Sequence, residues 1–213
     1  MPEETRIWDG ICRMGASLFD RGLTAGFSGN ISVLLEGGGW LMTPTNASLG
    51  DLDPMRLSRL DATGRLLSGD APTKEAFLHL SMCGERKNAT AAVHLPPSHA
   101  TAVSILRDVD PNDVLPTLTA YYVMRIGRLP LVPYFAPSDP DLAHAVRALA
   151  SNHHTVLLGN HGPVVAGTSH ANAQYATEEL EETAKLFLML QNQALRFLTP
   201  EQVADLRRRF NPS

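Results

Sequence analysis

The chain has 213 residues, 44% hydrophobic and 19% charged, with a formal net charge of -4. That length and apolar share suffice for one full core, and no linker or composition shift marks a second domain, so a single domain over 1–213 is expected. The acidic balance disfavours a general nucleic-acid or anionic-membrane surface and points to a small-molecule partner, with room for a local cationic pocket around one small anion.

Ile7, Ile11, Met14 and Leu18 share one helical face and Gly22 supplies a stop, so the chain opens with an amphipathic helix. The opening six residues lack an apolar signal region and no apolar run reaches membrane-spanning length, which makes a soluble cytoplasmic protein the expectation. Residues 24–30 read as a loop, followed by a strand over 31–35 that turns through Gly37, Gly38 and Gly39 into a second strand at 40–42. Residues 57–61 and 65–67 flank a Thr63-Gly64 turn and suggest another hairpin. Pro72 and Thr73 open a predicted helix through 83, placing Glu75 in its first turn.

Residues 91–95 read as a buried strand stopped by Pro96-Pro97, with His94 at its end and Ser98 as N-cap of a helix over 98–106. Apolar runs at 155–158 and 163–166 flank Gly159-Asn160-His161-Gly162, a turn between paired strands from which His161 projects. Ala173, Ala176, Leu180, Ala184, Phe187 and Leu188 argue one long helix from 169 to about 197, and 200–210 suggests another. Cys12 and Cys83 lie in apolar helical patterns without ligand spacing and read as core residues. Strands in the middle with helices around them give an α/β layered domain without internal repeats.

Three fragments carry chemistry: Thr73-Lys74-Glu75, His94 with the residues to His99, and Asn160-His161-Gly162. Two imidazoles on separate turns and a nearby carboxylate suit a metal that stabilises an enolate. Backbone amides of Ser28, Gly29 and Asn30, with donors from Thr45, Asn46 and Thr73 and the charge of Lys74, suit a phosphate. Each has a plainer use alone: a strand-entry turn at 28–30, a glutamate favouring a helix N-terminus, a core histidine, a turn histidine. His79, His144, His153, His154 and His170 are given no chemistry, and His153-His154 reads as an exposed loop.

Phe27-Ser28-Gly29-Asn30-Ile31-Ser32, Met42-Thr43-Pro44-Thr45-Asn46, Pro72-Thr73-Lys74-Glu75-Ala76, Val93-His94-Leu95 and Asn160-His161-Gly162 occur in the order and spacing of the class II aldolase and adducin family. The chain resembles that family over nearly its whole length. Within it, the stretches 43–49, 73–79 and 178–185 look like the 3-oxo-tetronate 4-phosphate decarboxylase branch. The resemblance implies a three-layer α/β/α fold with a largely antiparallel central sheet, commonly a homotetramer with active sites at subunit boundaries. It further implies a divalent metal, usually zinc, held by His94 and His161, with Glu75 as acid/base residue and occasional ligand. The reaction it implies releases carbon dioxide from a phosphorylated sugar acid and leaves dihydroxyacetone phosphate, with protonated Glu75 or Tyr121 delivering the proton.

The family's other histidine falls at Pro96, whose nitrogen is bonded into the peptide and offers no lone pair. Three outcomes are open: His99 reaches into the site, Glu75 completes a set of two nitrogens and one carboxylate, or the metal is lost. Two alternatives to the decarboxylase stand: a metal-dependent sugar-phosphate aldolase, which could use the same enolate-stabilising site, and a non-catalytic adducin-like binding protein that has lost its metal, which Pro96 favours.

Overall fold

A computed structural model describes residues 3–136 and 139–210. Eight strands form one sheet: β1 (Asn30–Leu34), β2 (Trp40–Met42), β3 (Ser58–Leu60), β4 (Leu66–Ser68), β5 (Ala91–His94), β6 (Leu131–Val132), β7 (Thr155–Leu158) and β8 (Gly162–Gly167). Their spatial order is β4-β3-β2-β1-β5-β8-β7-β6, and neighbours pair antiparallel apart from the parallel β6 and β7. The helices are α1 (Glu3–Asp20), α2 (Ala76–Gly84), α3 (Ser98–Val103), α4 (Ala120–Arg125), α5 (Pro140–Ala150), α6 (His170–Met189) and α7 (Pro200–Phe210).

Alternation along each strand sends successive side chains to opposite faces, and this divides the core in two. On one face, Leu78 and Met82 of α2 and Leu142 and Val146 of α5 pack with Met42, Ala92, Val156 and Val164. On the other, Ile11, Met14 and Leu18 of α1 pack with Ile31, Val33, Leu41 and Val93. Beside them, Val103, Tyr122, Leu180 and Ala184 from α3, α4 and α6 pack with Leu157 and Val165. The expected α/β/α layering with a largely antiparallel sheet is present. Among the described residues no helix is long and apolar enough to cross a membrane.

Several boundaries differ from the sequence expectation. Helix α2 starts at Ala76, because a bridge between Pro44 and Pro72 and the bond from Thr73 N to Thr43 O (3.2 Å) hold the preceding segment against a neighbouring loop. Helix α3 ends at Val103 and has Pro97 as its N-cap residue, so Ser98 is its first helical residue. Helix α6 stops at Met189, and Asn192 beyond it takes a left-handed backbone with φ 64. The pattern also passed over α5, which Asp139 caps by accepting from Asp141 N at 2.9 Å. His154 is buried rather than exposed, with Nδ1 3.0 Å from Thr155 Oγ1. Both cysteines are free thiols; Cys83 is buried and Cys12 half-buried, and burial pushes them up to about 12 and about 11.

Candidate active site

The central strand β5 positions the site. It pairs with β1 on one side, Asn30 opposite His94, and with β8 on the other, His94 opposite Val164. Period-two alternation puts His94 on the face of Ala92, under α2. Beyond β7 the chain turns through Asn160 (φ 56) and Gly162 (φ 147), with His161 N bonded to Leu158 O at 3.1 Å. A Cβ on Gly162 would lie 2.5 Å from Leu95 O and 3.0 Å from Pro96 Cα, so glycine lets this turn close onto the end of β5. That closure carries His161 to His94. Glu75 reaches them as the N-cap residue of α2 rather than from its first turn, and its own N–H bonds to Thr73 Oγ1 at 3.2 Å.

The three side chains converge. His94 Nε2 lies 3.3 Å from His161 Nε2 and 3.4 Å from Glu75 Oε2, and His161 Nε2 lies 3.3 Å from Glu75 Oε1. A tetrahedral centre with bonds of about 2.0–2.2 Å has ligand-to-ligand edges of about 3.3–3.6 Å, which the two imidazole nitrogens match; one ligand atom from each of the three residues lies within 4.8 Å of the others, so a small turn of the carboxylate would close the set on a divalent ion. The protonation state fits as well. His94 Nδ1 sits 2.8 Å from Pro163 O, an atom that only accepts, so Nδ1 carries the hydrogen. Burial lowers the pKa of His94 and keeps the ring neutral, against the opposing charge of Glu75. Nε2 therefore keeps its lone pair toward the cluster, as a ligating histidine requires.

Glu75 is ionised. Burial alone would raise its carboxyl, but the hydrogen bond from His161, the neighbouring His94 ring and the Asn30 amide outweigh it and hold the group at about 2. A carboxylate in that state is a ligand or a base. Its neighbours stabilise the charged form, the form in which it would take up a proton before delivering one.

Behind Glu75 lies a layer that the sequence reading missed. Asn30 Nδ2 donates to Glu75 Oε2 at 3.0 Å, while Asn30 Oδ1 bonds His79 Nε2, and His79 Nδ1 lies 2.7 Å from Ser32 Oγ. His79 and Ser32 are fully buried. The Asn30 side chain is thus committed to Glu75 rather than to an anion.

A cleft of about 290 Å³ opens over this cluster. Its lining includes Glu75, His94, His161, Pro96 and all the candidate phosphate residues, Ser28, Gly29, Asn30, Thr45, Asn46, Thr73 and Lys74. Ser28 contributes no free amide, because its N–H bonds Ala25 O at 3.2 Å and its hydroxyl bonds the same carbonyl at 2.7 Å. Among the described residues, the N–H groups of Gly29, Asn46 and Lys74 have no partner within the chain. Phe27, 70% exposed at the mouth, and Pro44 also line the cleft and were not foreseen.

Two predicted residues are not brought to the cleft. His99 does not replace the imidazole missing at 96: its Nδ1 is held 2.7 Å from Glu181 Oε1. The same carboxylate caps α3, accepting from His99 N at 3.0 Å and Ala100 N at 2.8 Å. Tyr121 lies on α4 with 61% exposure and does not line this cleft.

Residues 9–188 match the family described as Class II Aldolase and Adducin N-terminal domain. The chain belongs to that family. It is 44% identical over 204 residues to the 3-oxo-tetronate 4-phosphate decarboxylase of Escherichia coli K12, covering 96% of each chain. It is 46% identical over 197 residues to the enzyme of the same name from Haemophilus influenzae, covering 92% of this chain and 94% of that one. Its fold superposes on the crystal structure of YgbL from Klebsiella pneumoniae with a TM-score of 0.94 at 43% identity, covering 96% of this chain and 99% of that one.

Proposed function

We propose that the chain decarboxylates a 3-oxo-tetronate 4-phosphate to dihydroxyacetone phosphate and carbon dioxide. The observation that carries this reading is that one cleft joins Glu75, His94 and His161 to the unpaired N–H groups of Gly29, Asn46 and Lys74. Identities of 44% and 46% to decarboxylases of that name support the choice of substrate.

The substrate carries a ketone beta to its carboxylate. The bond between C1 and C2 breaks, carbon dioxide leaves, and the electron pair flows toward the C3 oxygen; a proton then joins C2. A divalent cation, zinc by the set of two imidazoles and a carboxylate, supplies when bound the positive charge that stabilises this pair. Glu75, His94 and His161 would hold it. Gly29, Asn46 and Lys74 donate backbone hydrogens to the phosphate, with the hydroxyls of Thr45 and Thr73 and the Lys74 ammonium beside them.

The proton for C2 comes from Tyr121, or from Glu75 once it has taken one up. Tyr121, presented to solvent by α4, serves on this reading the cleft of a neighbouring copy in a homotetramer, which its exposure supports. A phosphorylated acid is confined to the compartment where it forms, which supports a cytoplasmic setting.

The test is an assay of purified protein on 3-oxo-tetronate 4-phosphates with added zinc. Equimolar carbon dioxide and dihydroxyacetone phosphate are expected. Release of an aldehyde from a ketose phosphate without carbon dioxide would replace this reading with an aldolase, and tight substrate binding without turnover would replace it with an adducin-like binding role.

A further inference from the structure

We propose that His79 and Ser32 are positioning residues for Glu75, acting through Asn30. The inference rests on Glu75, His94 and His161 being the metal-holding set. With Pro96 in place of an imidazole, the carboxylate becomes the third protein ligand, and whatever aims it governs how well the site closes.

The directions run outward from the Glu75 carboxylate, with the Ala92 backbone a further partner of the His79 ring. A carboxylate only accepts, so the Asn30 amide turns its nitrogen to Glu75 Oε2 and its oxygen away. That oxygen only accepts, so His79 Nε2 carries a hydrogen for it. The neutral ring then has a lone pair on Nδ1, which takes the Ser32 hydroxyl hydrogen across 2.7 Å. Burial pushes His79 down to about 3, so the ring stays neutral and its single hydrogen stays on Nε2.

Reversing Asn30 or His79 would set two donors or two acceptors face to face, with His79 and Ser32 fully buried. Oε2 is therefore held by Asn30 while Oε1 is left toward His161, 3.3 Å away. Sheet geometry supplies the parts. Asn30 and Ser32 sit two apart on β1 and share the face of His94, and His79 follows Glu75 by four residues across the start of α2. Groups in this position orient metal ligands, and their loss typically weakens metal binding by about 10- to 100-fold.

The test compares full-length His79→Leu, His79→Gln and Ser32→Ala with the parent chain. It measures zinc affinity by chelator competition, kcat and KM on the phosphorylated acid, and the folded fraction by circular dichroism. His79→Leu is expected to weaken zinc binding by about 10- to 100-fold and to lower kcat, with KM little changed because the anion cradle is intact. His79→Gln still donates to Asn30 and accepts from Ser32, and it is expected to recover most of the loss. Ser32→Ala frees the ring to exchange tautomers and is expected to fall between.

Equal losses in His79→Leu and His79→Gln would mean that ring packing alone matters and would overturn the proposal. If His79→Leu does not fold, an unaltered zinc affinity in folded Ser32→Ala overturns it. A parent chain that binds no zinc would overturn the metal reading itself, whereas zinc binding indifferent to all three changes overturns only the relay.

Discussion

At position 96 a ring nitrogen already bonded into the peptide stands where an imidazole is expected, and Glu75 lies beside His94 and His161, one ligand atom of each within 4.8 Å of the others. Pro96→His should therefore raise zinc affinity by about 10-fold or more, since a fourth protein donor joins an arranged set. Chelator competition checks this, and an unchanged constant would mean that residue 96 faces the ion wrongly. In the same assay His94→Ala or His161→Ala should weaken binding at least about 100-fold, the upper range for losing even an outer group. His99→Ala should leave it unchanged, because that ring belongs to Glu181. Glu75, His94 and His161 were legible as candidates because each sits in a short, self-contained fragment. His79 was not, since a lone helical histidine reads as core. Its signal was relational: Glu75 and His79 four apart, lying over polar Asn30 and Ser32 two apart in an otherwise apolar strand. Only the register of β1 on β5 shows that these pairs share a face.

Among the elements, α3 depends on a carboxylate that is distant in sequence. Glu181 on α6 satisfies two N–H groups at its start, where neither Pro97 nor Ser98 caps it. Glu181→Ala should cost about 2 kcal/mol in urea unfolding, the range for losing a cap made of charge-assisted bonds. A cost below a few tenths would show that water caps the helix equally well. The β7 to β8 turn makes a second demand. Gly162→Ala should destabilise the fold by about 1–3 kcal/mol and weaken zinc binding, since the new methyl pushes the turn off Leu95 and moves His161. Local patterns found most strands and the cores of the long helices, as in α1 and the hairpin of β3 and β4. They missed the start of α2 and the length of α3 because those boundaries are set by partners far along the chain, at Thr43, Pro44 and Glu181.

For the whole molecule, buried groups set how stability depends on pH. Burial lowers His79 from 6.5 to about 3 and His154 from 6.5 to about 4, and each ring takes up a proton once the chain unfolds. Both contributions are complete above pH 6.5 and are lost as pH falls toward 4, at a rate on the order of 1 kcal/mol per pH unit for each ring. Glu75, lowered from 4.5 to about 2, adds stability above pH 4.5 that is lost below it, with the same sign. Urea midpoints of metal-free protein should therefore drop steadily from pH 7 to pH 4. A flat profile would mean that the buried rings are charged in the folded state.

The family and the layered fold were legible from five motifs in order, while the identity of a third ligand was not, because sequence alone left open Glu75, His99 or loss of the metal. X-ray absorption at the zinc edge of the loaded enzyme decides between them. Two imidazoles with carboxylate oxygen in the inner shell are predicted; three imidazoles, or zinc held only by water, would contradict the site described for this cleft.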